Sequence, residues 1–411
     1  MDKRINIEID HSTWPEPGKG PQIPLSFLTG GATSSVNVPA MLLLIGFLTT
    51  PPTSSGISLS EYWAWVRYLN AITSTDDLRI SEDFFALDAH QKTILSDDFG
   101  MGIPMFWLAQ KLKLSMVCDG RYFIRRIASS IGATAKKTGK RGPNKSPDFV
   151  ALDTNGIWHI IECKGTQTST DYRDVQLFGR RRSKLSGARA QKNTIIFPPG
   201  YSGQRLACGV VVAHELSGEK SSLKIIDPPA KRQKAFSVQA KDIEEAENTI
   251  SRSVLATSLR LAGYRISSEA VASPLGIKPD TRPTAGKRDN ERKAFVAKRK
   301  ELAKDELESR ASSQRSKTEG MFSGRETLLD LPRPIQVRGR EINVVRVFQG
   351  VRSNVLAQVR AEDLAEGNAG VAPSKRLSRQ PTGVSHDDFS AELRVSDTYV
   401  ADIDLLTSRP Q

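Results

Sequence analysis

Cysteine and histidine are scarce in this sequence. There are three cysteines, Cys118, Cys163 and Cys208, and five histidines among 411 residues. An odd number of cysteines without paired spacing argues against a disulfide framework, so we expect buried free thiols in a reducing cytosol. The scattered histidines offer no zinc-ligand spacing. His159 in particular is expected to pack in the core rather than to act in catalysis.

Long apolar runs are also missing. The run at residues 41–48 is too short to cross a bilayer and lies too far into the chain for a secretory signal. We therefore interpret it as a buried helix or strand, and we expect a cytoplasmic protein with no membrane partner. No internal repeat is evident.

Positive charge is what the sequence has in excess. It contains 59 Lys and Arg against 46 Asp and Glu, a formal net charge of +13. Basic residues cluster at 136–145 and 180–192, on either side of an acidic motif. A charge run is often only a solvated face, but two runs that bracket such a motif predict contacts with a phosphate backbone. The candidate contacts are Lys140, Arg141, Lys145, Gln176, Arg180, Arg181, Arg182, Lys184 and Lys192.

The acidic motif consists of Pro147-Asp148 followed by Glu162-Cys163-Lys164. Residues 149–153 and 157–163 are rich in Val, Ile, Phe and Trp, which predicts the two strands of a β-hairpin. Because side chains alternate along a strand, Glu162 and Lys164 share one face and Cys163 points to the other.

The turn of this hairpin decides whether Asp148 joins Glu162. A two-residue turn would place Asp148 opposite Cys163, on the wrong face of the sheet. A three-residue loop, with Gly156 in the left-handed conformation, would place Asp148 directly opposite Glu162, with ~5 Å between their Cβ atoms. The second register also aligns apolar residues along the same face, so we favour it.

This arrangement resembles the PD-(D/E)XK nuclease superfamily. The resemblance implies that Asp148 and Glu162 hold a divalent metal, Mg²⁺ or Mn²⁺, together with the backbone carbonyl of Cys163. It also implies that Lys164 orients or activates the attacking water. The chemistry is reasonable in itself, because adjacent carboxylates repel unless a hard cation neutralises them. The alternative is a Pro-Asp strand start beside an exposed, salt-bridged sheet edge.

The surrounding pattern agrees with the core of that superfamily. We expect a helix at 117–131, a strand at 133–138, the hairpin, a helix at 170–191 broken at Gly179 or Gly187, and strands at 206–215 and 223–226. For residues 116–228 this predicts an α/β fold with a restriction-endonuclease-like core, a mixed sheet flanked by helices.

Two further residues are candidates for the site. Some members of the superfamily carry another acid on the first helix, and Asp119 is the nearest candidate for this metal ligand. An N-terminal helix cap explains Asp119 equally well. Gln176 is a candidate on the helix that follows Lys164, with a solvated helix residue as the alternative. Gln191 is a further candidate for a phosphate contact.

Residues 1–115 are expected to form a separate, mainly helical region for target recognition or dimer contacts. A helix is predicted at 58–72, capped by Ser58 or Ser60, and its aromatic residues are expected to pack rather than to stack on bases. Residues 97–104 have the composition of a tight turn that precedes a helix at 105–114.

Residues 229–366 are expected to form an α+β extension. It would contain a helix at 241–261, an exposed charged helix at 287–315 and a small β-unit at 328–359. Residues 367–411 are polar and contain Pro and Ser, so we expect a flexible or partner-bound tail.

Two classes of function remain open. The favoured one is an Mg²⁺-dependent nuclease, a DNA endonuclease of restriction or genome-defence (antiviral) type. It would act on double-stranded DNA, as a homodimer or with a defence-system partner. The alternative is a non-catalytic nucleic-acid-binding subunit of a larger assembly that retains the fold. Such a copy would not need Asp148, Glu162 and Lys164 together, which favours the enzyme.

Overall fold

The computed structural model describes residues 1–52, 64–130, 146–179, 188–192, 194–227, 235–272, 287–309, 312–318, 320–361 and 378–410. Several features expected above lie outside these ranges. They are the strand at 133–138, the helix break at Gly187, the caps Ser58 and Ser60, and the basic residues Lys140, Arg141, Lys145, Arg180, Arg181, Arg182 and Lys184.

The described residues form strands and helices along the whole chain. The strands are β1 (Asp2–Ile9), β2 (Thr33–Asn37), β3 (Leu114–Asp119), β4 (Phe149–Asp153), β5 (Trp158–Thr166), β6 (Ile195–Ile196), β7 (Ser202–Val211), β8 (Ser222–Ile226), β9 (Phe236–Ser237), β10 (Ser313–Lys317), β11 (Gly320–Val337), β12 (Arg340–Arg352), β13 (Gly383–His386), β14 (Ser390–Val395) and β15 (Tyr399–Leu406). The helices are α1 (Leu25–Leu28), α2 (Val38–Thr49), α3 (Ala64–Ala71), α4 (Glu82–Phe85), α5 (Ala89–Lys111), α6 (Gly120–Ser130), α7 (Thr170–Phe178), α8 (Ala188–Gln191), α9 (Ile243–Leu261), α10 (Arg265–Ala272), α11 (Lys287–Ser309) and α12 (Ser353–Ala361).

Seven strands form a mixed sheet in the order β2-β1-β8-β7-β5-β4-β3. β5 is parallel to β7 and β1 is parallel to β8, whereas the other neighbouring pairs are antiparallel. Gly165 packs so closely against α5 that an added Cβ atom would contact this helix, and Gly209 packs against α7 in the same way. Because Gly165 pairs with Val210, the residue after Gly209, the two helices cover opposite faces. The predicted α/β class, a mixed sheet flanked by helices, is confirmed.

The first 115 residues do not stand apart from this sheet. β1 and β2 form one of its edges, and β1 joins the other strands by parallel pairing with β8. The expectation of a separate N-terminal region is corrected on this point. In β1, Ile5, Ile7 and Ile9 alternate with polar residues, the pattern of a half-buried strand.

Strands β10–β15 form a separate antiparallel sheet in the order β10-β11-β12-β15-β14-β13. Residues 378–410 supply three of these strands, and β15 lies between β12 and β14. The flexible tail expected at 367–411 is therefore wrong for this described part. The polar composition of this segment did not indicate the core strand β15, in which Val400, Ala401 and Ile403 are buried. Their burial helps to offset the entropy lost on ordering the segment.

The two sheets are joined by α9 and by the segment before β13. α9 contacts both β3 and β12 and is buried on most of its surface. The N–H of Thr382 donates to the carbonyl of Leu114 at 2.7 Å, which adds a hydrogen bond to the edge strand β3. Arg379 forms an ion pair with Glu247 of α9 at 2.7 Å and lies against Gly156.

Two local expectations are wrong. Residues 97–104 are not a turn, because α5 continues through them from Ala89 to Lys111. Glycine serves close packing there, since a Cβ on Gly102 would lie 2.4 Å from the side chain of Ile45. Residues 117–119 belong to β3, and the helix expected to include them begins at Gly120.

Other expectations are confirmed. The run 41–48 lies in the buried helix α2, and the three cysteines are free and buried. α7 ends at Gly179, which takes a φ of 81°. Leu69 of α3 packs in the core, and so does Tyr68, whereas Tyr62 and Trp63 lie outside the described residues. In the part of the chain that the structure describes, no helix is long and apolar enough to cross a membrane.

The contact between α5 and β5 can be tested by stability. A Cβ on Gly165 would lie 1.7 Å from the carbonyl oxygen of Ser96 and 2.9 Å from the Cα of Gly100. We expect Gly165→Ala to lower the free energy of unfolding by about 3 kcal/mol, because backbone atoms cannot avoid the overlap by changing rotamer. Urea denaturation followed by circular dichroism measures this change.

Gly218→Ala is the matched control, since nothing lies within 4 Å of the added Cβ. If the two variants were equally stable, α5 and β5 would not approach as closely as described.

Candidate active site

The turn of the β4–β5 hairpin is a three-residue loop organised by Asp153. The N–H of Asp153 donates to the carbonyl of Ile157 at 3.0 Å, and Gly156 takes a φ of 82°. The Asp153 carboxylate accepts from the N–H groups of Asn155 and Ile157 at 2.8 and 2.9 Å and lies 3.4 Å from His159 Nε2. Burial raises the pKa of this carboxyl, but the hydrogen bonds, that of His159 first, outweigh it and lower the pKa. His159 therefore packs and supports the turn, as expected.

This loop sets the register that brings the motif together. Phe149 pairs with Ile161 across the hairpin, so Asp148 and Glu162 are the next residues to face each other. The three-residue loop and the register predicted from the sequence are confirmed.

Asp148, Glu162 and Lys164 form one connected cluster. The N–H of Asp148 donates to Glu162 Oε2 at 3.1 Å, and the N–H of Cys163 donates to Asp148 Oδ2 at 2.8 Å. Lys164 Nζ donates to Glu162 Oε1 at 2.5 Å and lies 4.0 Å from Asp148 Oδ2. The Glu162 side chain is fully buried, whereas 30% of Asp148 and 27% of Lys164 is exposed. The cluster therefore opens to solvent through Asp148 and Lys164.

Burial makes both carboxyl groups hard to ionise. Burial, and then the charge of Asp148, raises the pKa of Glu162 to about 8. Burial also raises the pKa of Asp148, although Lys164 opposes the rise. Burial by itself would lower the pKa of Lys164, but Asp148 and Glu162 outweigh it and raise that pKa. Lys164 alone cannot neutralise two ionised carboxylates. A divalent cation would supply the missing positive charge and so favour the ionised form of both groups.

Two further acids lie near the cluster. Asp119, at the end of β3, accepts from the N–H of Tyr122 at 2.6 Å and so caps α6. The cap considered for Asp119 is confirmed, and its role as a metal ligand stays a prediction. Asp97 of α5 was missed, because its segment was interpreted as a turn. Burial raises the pKa of Asp97 while Lys164 opposes the rise, and the charge of Asp97 in turn raises the pKa of Asp148.

Lys192 does not serve as the phosphate contact predicted for it. It is buried, and its ammonium donates to the carboxylate of Asp227 and to the carbonyl of Arg205. A buried ammonium requires such partners. Asp227 lies much later in the chain, directly after β8, so the pairing could not be predicted from the local sequence.

Gln176 is partly buried and contacts β5. Its Nε2 lies 3.5 Å from the carbonyl of Gly165, the residue after Lys164. Its Oε1 is buried and has no hydrogen-bond partner among the described residues. Gln191 lies on the other side of the motif, with its Nε2 3.5 Å from the carbonyl of Ser146.

The oxygen atoms of the site suit a hard cation. Among the described residues, no three His, Cys, Asp or Glu side chains are grouped closely enough to form a metal site by themselves. Asp148 and Glu162 offer two carboxylates, and the carbonyl of Cys163 is a third protein oxygen. Mg²⁺ is commonly bound by one or two carboxylates and keeps several waters, so this set fits Mg²⁺ or Mn²⁺ and not Zn²⁺.

The raised pKa of Glu162 predicts how stability depends on pH. In the unfolded protein, the Glu162 carboxyl loses its proton near its ordinary pKa of 4.5. In the folded, metal-free protein, the pKa of this carboxyl is raised to about 8. Between these values the folded state binds more protons than the unfolded state, so the free energy of unfolding falls as pH rises. We expect metal-free wild type to lose thermal stability relative to Glu162→Gln from about pH 5 to about pH 8.

The measurement is the melting temperature in EDTA across that range. Glu301→Gln, an exposed change on α11, is the control and should follow wild type. Parallel curves for wild type and Glu162→Gln would contradict the raised pKa.

Comparison with protein-family models, with curated proteins and with solved structures finds no match for this chain. Its function must therefore be inferred from the chemistry of Asp148, Glu162 and Lys164 themselves.

Proposed function

We propose that the protein is a metal-dependent nuclease that hydrolyses phosphodiester bonds. The observation that carries the proposal is the hairpin register, which gathers Asp148, Glu162 and Lys164 at a partly exposed point of the sheet. A slip of one residue would turn Asp148 to the other face. The cluster therefore depends on a loop of three residues and not two.

Asp148, Glu162 and the carbonyl of Cys163 would hold the cation, Mg²⁺ or Mn²⁺. When bound, the cation lowers the pKa of a coordinated water and neutralises charge on a phosphate oxygen. The chain contributes two carboxylates held by backbone N–H groups, those of Cys163 and Asp148. These hydrogen bonds fix the carboxylates before a ligand arrives, which is the preorganisation that catalysis requires.

Lys164 supplies a fixed positive charge. Although burial disfavours an ammonium, Asp148 and Glu162 raise its pKa, so Lys164 stays protonated at neutral pH. A protonated lysine cannot take a proton from water, but it can stabilise negative charge that develops on a phosphate. We therefore assign Lys164 to electrostatic stabilisation and to orientation of the substrate, and not to the role of general base.

The order of elements supports a restriction-endonuclease-like core of the PD-(D/E)XK type. Along the chain, α5 is followed by β3, by α6, by the hairpin strands β4 and β5, by α7 and, after α8 and β6, by β7, which is parallel to β5. On this assignment the first helix of the core is α5 and not the segment at 117–131. Asp97 of α5 is then the acid on the first helix of the core, a position for which Asp119 was the candidate from the sequence.

Charge supports a nucleic-acid substrate. The net charge is +13, and basic residues precede and follow the motif in the sequence. We propose double-stranded DNA as the substrate and a restriction or genome-defence role in the cytoplasm, with a homodimer or a defence-system partner involved in cutting both strands.

The proposal is tested by cleavage assays on circular and linear duplex DNA, single strands and RNA, with Mg²⁺, Mn²⁺ or EDTA. We expect metal-dependent cutting that falls by about a hundredfold or more in Asp148→Asn, Glu162→Gln and Lys164→Met, because each removes a charge at the reacting phosphate. Binding of Mn²⁺ should be lost in the two acid variants and retained in Lys164→Met.

Asp171→Asn and Lys220→Met change exposed side chains of the same types and should cut like wild type. Thermal melts establish that each variant is folded. Wild-type rates in any of the three site variants would refute the assignment, and tight DNA binding without cutting would favour the non-catalytic subunit.

A further inference from the structure

A cleft of about 350 Å³ opens beside the candidate active site. One side is formed by the carboxyl-terminal end of α2 and the prolines that follow it. The other side is formed by the end of β3 and the residues that lead into β4. Asp119 and Asp148 line the cleft, so a group inside it would lie beside the proposed metal position. The chemistry assigned to Glu162 and Lys164 does not require this space.

The walls combine apolar surface with hydrogen-bond acceptors. Phe47 and Met101 contribute apolar surface, and Thr49 and Thr257 contribute hydroxyl groups. Thr49 donates its proton to a carbonyl one turn back in α2 at 2.7 Å, and Thr257 donates to the carbonyl of Thr50 at 3.4 Å. Their oxygen lone pairs remain as acceptors. Apolar surface with acceptors suits a flat heterocycle that carries N–H groups, as nucleobases do.

The lining also carries charges of both signs. Arg121 is exposed on the first turn of α6, close in sequence to Asp119, and both line the cleft with Asp148. A nucleotide has its base at one end and its phosphate at the other. With the base in the cleft, the phosphate would reach the charged residues, where Arg121 and a metal on Asp148 could bind it.

The size of the cleft limits what can enter. Ligand pockets in proteins begin at about 300 Å³, so this one has room for a single nucleotide and not for a stacked pair or a duplex. A duplex could use it only by turning one nucleotide out of the helix, at a cost that is smaller for a mismatched or unpaired base.

We propose that the cleft receives one nucleotide of the bound strand, turned out of the base stack next to the phosphate that is cut. This inference rests on the nuclease function proposed above and makes it more specific. Among duplex substrates, those with an unpaired base at the cleavage position should be cut fastest, because turning that nucleotide out of the helix costs less.

The test uses DNA with 2-aminopurine placed in turn at each position around the cleavage site, bound by the full chain in Ca²⁺ in place of Mg²⁺. Emission should rise several-fold at one position, because the base leaves the stack there. Thr49→Phe places a ring in the cleft and should abolish that rise. It should also slow Mg²⁺-dependent cleavage of the intact strand by about tenfold, or 1.4 kcal/mol.

Ser309→Phe is the matched control. Thr49 and Ser309 are each the last residue of a helix, and each hydroxyl donates to the carbonyl four residues back. Ser309 lies on α11, away from the cleft lining, so this variant should show the wild-type rise and the wild-type rate.

An abasic site at the responsive position gives a test that does not depend on how well the variant folds. With no base to enter the cleft, wild type and Thr49→Phe should cut at nearly the same rate. A tenfold deficit that persists on the abasic strand would overturn the proposal, as would constant emission at every position. Emission that rises without any cleavage would support the cleft and refute the nuclease, so the two proposals can fail separately.

Discussion

The candidate site depends on one loop of three residues. Asp153 closes this loop with its backbone and with its carboxylate, and Gly156 supplies the left-handed conformation that the return of the chain needs. Since side chains alternate along a strand, the length of this loop decides which face of the sheet Asp148 occupies. The length of this turn, which lies six residues along the chain from both Asp148 and Glu162, therefore matters to the cluster as much as the identity of these two residues.

The second constraint is electrostatic. Glu162 is fully buried beside Asp148, and burial raises the pKa of both carboxyl groups. Lys164 compensates one negative charge, and Asp97 adds another from α5. These buried acids lower the stability of the protein when no cation is bound, because burial disfavours their ionised forms. A bound divalent cation would offset that cost. Functional sites often reduce stability in this way.

The parts of the fold that local chemistry determines could be predicted from the sequence. The hairpin, its register and the end of α7 at Gly179 follow from alternation and from glycine. The parts that failed depend on distant partners. Gly100 suggests a turn in the sequence, and only its close contact with Gly165 explains the glycine. Lys192 likewise suggests a phosphate contact, and only the position of Asp227 shows that its charge is already paired. β15 was missed because its short apolar stretch lies within a polar segment and is buried only by the neighbouring strands.

The hydrogen bond from Thr382 to Leu114 and the contact of Arg379 with Gly156 and Glu247 connect the last part of the chain to the hairpin. A fragment ended at residue 228 would contain the whole motif yet lack α9, which packs on β3, and the segment that bonds to the β3 edge. The strands that carry the motif are thus supported by contacts with residues that lie much later in the chain. During synthesis, the hairpin and β3 therefore gain these contacts only after residues 379–382 have left the ribosome, long after Asp148, Glu162 and Lys164 have been made.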